Sequence, residues 1–377
     1  MPSRFGSRIR LLPRALVRRL GAHRRRPPVE PARILVAHQL LLGDTLMLTA
    51  LLAKLRERHP QAYLAMTVKP PYAPLYVGRP YGVEVHAVDL REPASIAPLL
   101  AGPGFDLAYV PGDNRYCWLA AAAGARWIVA HAGDRPAWKS WPADELRPYP
   151  DAPAAWGDIV AGLADGPAPR PYSVAEWPDP PCEPFDAPRA PYAVLHVGAS
   201  SPLKLWEADK WRAVAAALAA EGLAVVWSAG AGEEDAVARA DPHRAHASFA
   251  GRLELAQLWH LVKGARLLVS PDTGVAHLGR LAGTPTVALF GPGSALLCGA
   301  GEFWKNAPYR AISVDPFPCR DQHLLFQREI AWVHRCARTL AECPAARCMQ
   351  AIAVEVVLDA VRTLLREGAA AQARAHH

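Results

Sequence analysis

The stretch Ser270-Pro271-Asp272-Thr273-Gly274-Val275-Ala276-His277 decides the fold. It follows an apolar run, Ala265 to Val269, that reads as a buried strand, and it leads into a helical stretch, His277 to Ala282. A second strand, Thr286 to Phe290, then ends at Gly291-Pro292-Gly293. A strand that stops at Asp-Thr-Gly and turns into a helix gathers backbone N–H groups, a hydroxyl and a carboxylate at one helix N-terminus. Open α/β sheets bind phosphorylated ligands at such a point. Asp and Thr are also good helix caps and Gly a good turn residue, so the segment alone leaves both readings open.

Two other segments have the same form. Tyr192 to Trp206 is a strand that runs into Gly198-Ala199-Ser200-Ser201 and then Lys204, with a helix starting near Glu207. Small residues let the backbone approach an anion, Lys204 adds a point charge, and Ser200 and Ser201 add hydroxyl donors. Arg33 to Thr45 is a strand followed by Leu42-Gly43-Asp44 and a helix reaching about Arg58. Asp44 stands where a strand ends, the usual place for a functional side chain in such folds, although a helix N-cap would also suit it.

In this order and spacing, the three segments resemble glycosyltransferase family 9, the ADP-heptose:lipopolysaccharide heptosyltransferases. The matching residues are Leu42-Gly43-Asp44, His196-x-Gly198-Ala199-Ser200 with Lys204 and Trp206, Asp272-Thr273-Gly274 with His277, Gly283-Thr284-Pro285, and Phe290-Gly291-Pro292. The resemblance covers residues 33 to about 360 and is strongest from Tyr192 to Pro292. It implies an α/β protein of the GT-B class, two Rossmann-like domains whose parallel sheets face each other across a cleft. The chain departs from the family in both halves, and the first-domain changes fall on the acceptor side. His38, Leu40 and Leu41 stand where an Arg and small polar residues are usual, Ala50 replaces a Pro, and Val197 replaces the Pro after His196.

Composition bounds the class. With 377 residues and 51% hydrophobic content the chain can form two domains with sizeable cores. No run of about 18 apolar residues is present, and the N-terminus lacks the apolar segment and cleavage site of a signal peptide, so a cytoplasmic location is expected. Seven cysteines, an odd count, fit a reducing compartment. The net charge of +7 is a property of the tail: residues 1–26 hold nine Arg and no acid, which leaves 33 basic against 35 acidic residues. Within that arm Ile9, Leu12, Leu16 and Leu20 recur at helical spacing, with most Arg off the stripe. The arm reads as a basic amphipathic helix suited to a membrane surface, or as a disordered tail. Nucleic acid is not an expected partner, because the body has no basic excess.

Along the chain, residues 1–31 form the arm, 32–164 an N-terminal acceptor-side domain, 165–191 a linker with nine Pro, 192–348 a nucleotide-sugar-binding domain, and 349–377 a C-terminal helix and tail. Expected strands are 33–37, 62–68, 83–88, 106–110 and 126–130, then 192–196, 223–228, 266–270 and 286–290. Helices are expected at 44–58, 94–100, 115–123 and 352–365. By family analogy the last helix packs back on the N-terminal domain. Trp138, Trp141, Trp156, Trp206, Trp211 and Trp259 are read as core or domain-edge packing.

The resemblance also implies roles. Asp44 is the base that deprotonates the acceptor in a single inverting displacement. Ser200, Ser201, Lys204 and the helix start at Thr273-Gly274 hold the diphosphate, and Asp272 and His277 lie around the sugar and phosphates. No divalent cation or other cofactor is required. Gly230-Ala231-Gly232 is half a dinucleotide fingerprint, and Glu233, or failing it Glu234, suits a ribose hydroxyl, though a carboxylate at a helix start is also favoured by the dipole. Cys319, Cys336, Cys343 and Cys348 lie close in sequence, so a structural Zn or Fe site and free buried thiols both remain open. The expected activity is transfer of heptose from ADP-heptose to a lipopolysaccharide core or related glycan at the cytoplasmic membrane face. The alternatives are a protein acceptor, or a nucleotide-binding protein without activity.

Overall fold

The computed structural model describes residues 5–20 and 26–375, which form two compact units. The first unit takes residues up to Pro171, Glu176–Pro180 and His323–Trp332; the second takes Tyr172–Ala175, Pro181–Gln322 and Val333 onward.

The first unit opens with helix α1 (Phe5–Leu20), then β1 (Arg33–Val36), α2 (Leu42–Met47), α3 (Thr49–Arg58), β2 (Tyr63–Val68) and β3 (Val83–Ala87). It continues with α4 (Pro93–Ala101), β4 (Phe105–Val110), α5 (Tyr116–Ala122), β5 (Ala125–His131), β6 (Glu145–Arg147) and α6 (Trp156–Ala161). Its six strands are all parallel and ordered β3-β2-β1-β4-β5-β6. The second unit begins with β7 (Tyr192–His196), α7 (Ala208–Ala220), β8 (Ala224–Ser228), α8 (Glu234–Ala240), β9 (Ala247–Ser248) and α9 (Leu255–Lys263). It goes on through β10 (Leu267–Pro271), α10 (Gly274–Ala282), β11 (Thr286–Phe290) and β12 (Tyr309–Ser313). Its sheet, also parallel, runs β12-β11-β10-β7-β8-β9. Both orders are the doubly wound 3-2-1-4-5-6 pattern, which reverses direction between the first and fourth strands of each sheet. The central strands are fully buried apolar runs, as helices on both faces require.

The expected helix over 44–58 is two helices, because the chain turns at Leu48 between α2 and α3. The edge strands β6, β9 and β12 were not anticipated. The first two are only three and two residues long, and β12 is half-exposed along most of its length. Residues 165–191 are also more than a spacer. Tyr172 donates its hydroxyl to Leu281 O at 2.7 Å within the second unit, while Trp177 is buried against Tyr76 in the first.

The C-terminal helix, α12 (Val354–Ala375), follows the short α11 (Arg347–Gln350) and packs within the second unit. Val357, Val361 and Leu364 complete the core formed with Trp211, Trp227 and Leu289, and Arg362 pairs with Glu221, the residue just after α7. The arm, over its described part, is a docked helix and not a disordered tail. Leu11 and Ala15 are buried against the first unit, and Arg14 donates to Ala122 O and Leu100 O near the ends of α5 and α4. Arg19 binds both oxygens of Asp144. The stripe read from sequence lies elsewhere: Leu12 and Leu16, with Val17, are exposed. Residues 1–4 and 21–25 of the arm lie outside the described residues.

The segment after β12 holds a hairpin of β13 (Leu324–Leu325) and β14 (Arg328–Glu329), with Phe326 and Gln327 in left-handed conformation at its turn. Although the sequence rhythm groups it with the second domain, it belongs to the first unit. Arg328 anchors it there, fully enclosed, donating to Gly112 O, Ala132 O, His131 O and Asn114 Oδ1. Trp138 and Trp141 are exposed, unlike the other tryptophans read as packing residues.

Candidate active site

In the second unit the site residues collect where the strand order reverses, between β7 and β10. The turn after β7 carries Ser200, exposed, and Ser201, whose carbonyl accepts the Lys204 N–H at 2.9 Å to close the 3-10 turn Pro202–Lys204. That turn aims Lys204 across the reversal. Its ammonium donates to Asp272 Oδ2 at 2.8 Å and to Asp272 O at 2.7 Å. Asp272, the residue after β10, is buried, and Gly293 is the residue that makes room for it: a Cβ there would collide with Asp272 Oδ2.

Thr273 is the N-cap of α10, yet its side chain does not cap the helix. Its hydroxyl lies 3.1 Å from Ser270 Oγ instead. The helix therefore starts at Gly274 without a side-chain cap, and the simple capping reading of Asp272-Thr273-Gly274 does not describe the geometry. His277, one turn on, is buried and held neutral, its pKa pushed well below the usual value first by burial and then by Arg280 and Lys204.

At the end of β8, Glu233 folds back over the turn. Its Oε2 accepts the Gly230 N–H at 2.8 Å and fills the space where a Cβ on Gly198 would stand. Gly198 is thus required by the Glu233 carboxylate. Glu234 turns the other way, to the Gly232 N–H at 3.1 Å, and backbone hydrogen bonds lower its pKa. Beneath them His196 Nδ1 and Ser228 Oγ, 3.1 Å apart, join the ends of β7 and β8. Burial pushes His196 down to about 4.

In the first unit Asp44 lies in the first turn of α2, half-buried. The N-cap of that helix is Leu41, so Asp44 is not the capping residue. Its negative charge is felt by Tyr72 and Tyr149. His38, at the end of the preceding strand, is buried and driven down to about 3 by desolvation and then by Lys69. Its Nδ1 accepts the Leu40 N–H at 3.2 Å. The loop after β1 thus carries a buried neutral imidazole beside apolar Leu40.

None of the seven cysteines is in a disulfide. Cys319 lies beside Cys336, and burial raises the Cys348 pKa. Burial, then its cysteine neighbours, raises the Cys319 pKa. Among the described residues, Asp272, His277 and Cys298 have ligand atoms all within 4.8 Å of one another. Sequence reasoning missed Cys298 and Arg280. Arg280, one turn after His277 on α10, is enclosed, with its guanidinium over Trp304 and Tyr309. The only sequence signal for it is its i+3 spacing from His277 on an otherwise apolar helix face.

Known proteins match the chain in sequence and in fold. Residues 165–309 match the model of glycosyltransferase family 9 (heptosyltransferase). Lipopolysaccharide heptosyltransferase 1 of Pseudomonas aeruginosa is 34% identical over 115 residues, 30% of this chain and 32% of that protein, so the match spans about a third of the relative's length. A family 9 glycosyl transferase structure from Veillonella parvula superposes with a TM-score of 0.67 at 18% identity, covering 89% of this chain and 98% of the other. The E. coli ADP-heptose lps heptosyltransferase II structure gives 0.65 at 18% identity, covering 89% and 99%. The α/β architecture of two parallel six-stranded sheets is that of these GT-B proteins.

Proposed function

We propose that this chain, which carries a glycosyltransferase family 9 domain at residues 165–309, is an inverting heptosyltransferase. In this reading its donor is ADP-heptose and its acceptor a lipopolysaccharide core or related glycan. The observation that carries the proposal is the Lys204–Asp272 pair at the sheet reversal of the matched domain.

Glycosyl transfer needs a base for the acceptor hydroxyl, charge stabilisation for the departing diphosphate and a grip on the nucleotide. Lys204 and the uncapped start of α10 at Thr273-Gly274 supply positive charge for the diphosphate, with Ser200 and Ser201 as further donors. Bound to donor, Lys204 would exchange part of its contact with Asp272 for phosphate oxygen, and Asp272 would keep it aimed. Glu233, poised at the end of β8, takes the ribose hydroxyls. Asp44 takes the acceptor proton as the acceptor oxygen displaces ADP at the anomeric carbon. No divalent cation enters this scheme. Two protein cations already stand beside the Asp272–His277–Cys298 group, Lys204 on the carboxylate and Arg280 on the imidazole.

Action at the cytoplasmic membrane face is supported by α1, whose exposed Leu12, Leu16 and Val17 accompany an arm rich in Arg. No helix among the described residues is long and apolar enough to cross a membrane. The test is heptose transfer from ADP-heptose to a truncated lipopolysaccharide acceptor, followed by ADP release. Donor binding without turnover on any glycan acceptor would overturn the acceptor, and no donor binding would overturn the proposal as a whole.

A further inference from the structure

Arg280 is 1% exposed and sits one helical turn beyond His277. Its Nη2 lies 2.6 Å from His277 Nδ1. A guanidinium has donors and no acceptor, so Nδ1 must be the acceptor in this bond. The neutral ring then carries its proton on Nε2. The other arm of the same guanidinium, Nη1, donates to Gly299 O at 2.7 Å and to Cys298 O at 3.4 Å. Its Cζ lies 4.2 Å from the Trp304 ring centroid and 5.0 Å from that of Tyr309. One buried cation thus fixes an imidazole on α10 and the turn at Cys298-Gly299 together.

We infer that Arg280 is a positioning residue for the donor side: it locks His277 as the Nε2–H tautomer, a hydrogen-bond donor, and holds the 298–299 turn beside it. This rests on the heptosyltransferase reading above. The groups around the imidazole are Asp272 after β10, Lys204 after β7, Cys298 after β11 and Arg280 itself, with Tyr309 of β12 against the guanidinium. In that setting a ring N–H is a neutral donor beside two cations, a carboxylate and a thiol, suited to a sugar or phosphate oxygen. The same bond argues against a metal on this group. One ring lone pair is taken by Arg280 and the other nitrogen is protonated, so neither is available to a cation.

The test uses the full chain as wild type, R280M, R280K and H277Q. Proton–nitrogen correlation on histidine-labelled protein, with His277 assigned by its loss in H277Q, reads the tautomer directly. Wild type should show an unprotonated Nδ1 and a protonated Nε2 throughout pH 5.5–8. In R280M both tautomers should appear, and an acid limb absent from wild type should enter the kcat profile. Removing one aimed donor costs roughly 10²-fold in kcat or more, so R280M should fall by about that factor with the donor KM little changed. R280K keeps a cationic donor for Nδ1 but loses the planar fork that also holds the 298–299 turn, so it should retain the Nε2–H tautomer and recover only part of kcat. R280K also carries the test if R280M does not fold. A protonated Nδ1 in wild type overturns the inference, as does a folded R280M with an unaltered tautomer and pH profile. If wild type transfers no heptose, the functional reading fails, while the nitrogen spectra still decide the tautomer lock.

Discussion

Lys204 Nζ stands 2.8 Å from Asp272 Oδ2 and 2.7 Å from Asp272 O, joining the turn after β7 to the end of β10 at the point where the second sheet reverses its strand order. The two residues are 68 positions apart, and each belongs to a short motif that alone could be an ordinary cap or turn. Their pairing gives the site a cation held in place before any ligand arrives.

Lys204→Met should therefore weaken ADP binding. A charge-assisted hydrogen bond contributes about 1.5–3 kcal/mol, so the ADP Kd should rise by roughly 10-fold or more. Titration calorimetry with ADP checks this. Unchanged affinity would remove Lys204 from the diphosphate site.

Gly198→Ala should disturb the ribose side. The new Cβ would displace the Glu233 carboxylate from the Gly230 N–H. The expected result is weaker ADP binding with a stability loss of about 1 kcal/mol, read by calorimetry and by urea unfolding. Wild-type affinity in a folded Gly198→Ala protein would rule out Glu233 as a nucleotide contact.

Stability should fall as pH drops from about 6.5 toward 4. Burial lowers His38 to about 3 and His196 to about 4 in the folded state. In the unfolded chain both return to the ordinary histidine value of 6.5, so between these limits the unfolded state binds more protons. The stabilisation is fully present above the unfolded value and is lost as pH falls toward the folded ones. Urea midpoints between pH 7.5 and 4.5 measure the slope, and His196→Gln should make it shallower. A midpoint independent of pH across this range would contradict the buried neutral assignment.

Arg328→Met should destabilise the first unit. It removes the Arg328 donors from Gly112 O, Ala132 O and Asn114 Oδ1, leaves His131 O to the Asn114 amide alone, and takes away the cation 3.7 Å from Asp134. Breaking such a buried set costs roughly 3–5 kcal/mol. Thermal or urea unfolding checks the loss. A change below about 1 kcal/mol would mean that Lys139, already 2.9 Å from Asp134, suffices alone.

The doubly wound fold was legible because buried parallel strands are continuous apolar runs, and those at 192–196 and 286–290 stand where the sequence places them. Edge strands carry no such run, so Ala247–Ser248 left no trace. The placement of Arg328 was beyond reach for another reason. Its partners are 196 to 216 residues away, and nothing in a hairpin's own sequence names the sheet it joins. Arg280 was hidden similarly, since one Arg in a helix reads as a solvated face until its enclosure by Trp304 and Tyr309 is seen. The arm shows the limit of periodicity. Leu12 and Leu16 do form a stripe, but docking uses Leu11, Ala15 and two arginines from the adjoining face.

The central claim is heptosyl transfer with Asp44 as base, and the most direct test compares wild type with Asp44→Asn. ADP release from ADP-heptose is measured with a truncated lipopolysaccharide acceptor, alongside donor affinity. The account predicts turnover by wild type and a loss of about 10²–10⁴-fold in kcat for the variant, with the donor Kd unchanged. Wild-type turnover that survives in Asp44→Asn would contradict Asp44 as the base. Donor binding with no turnover by either protein would contradict the claim that this chain transfers heptose to that acceptor.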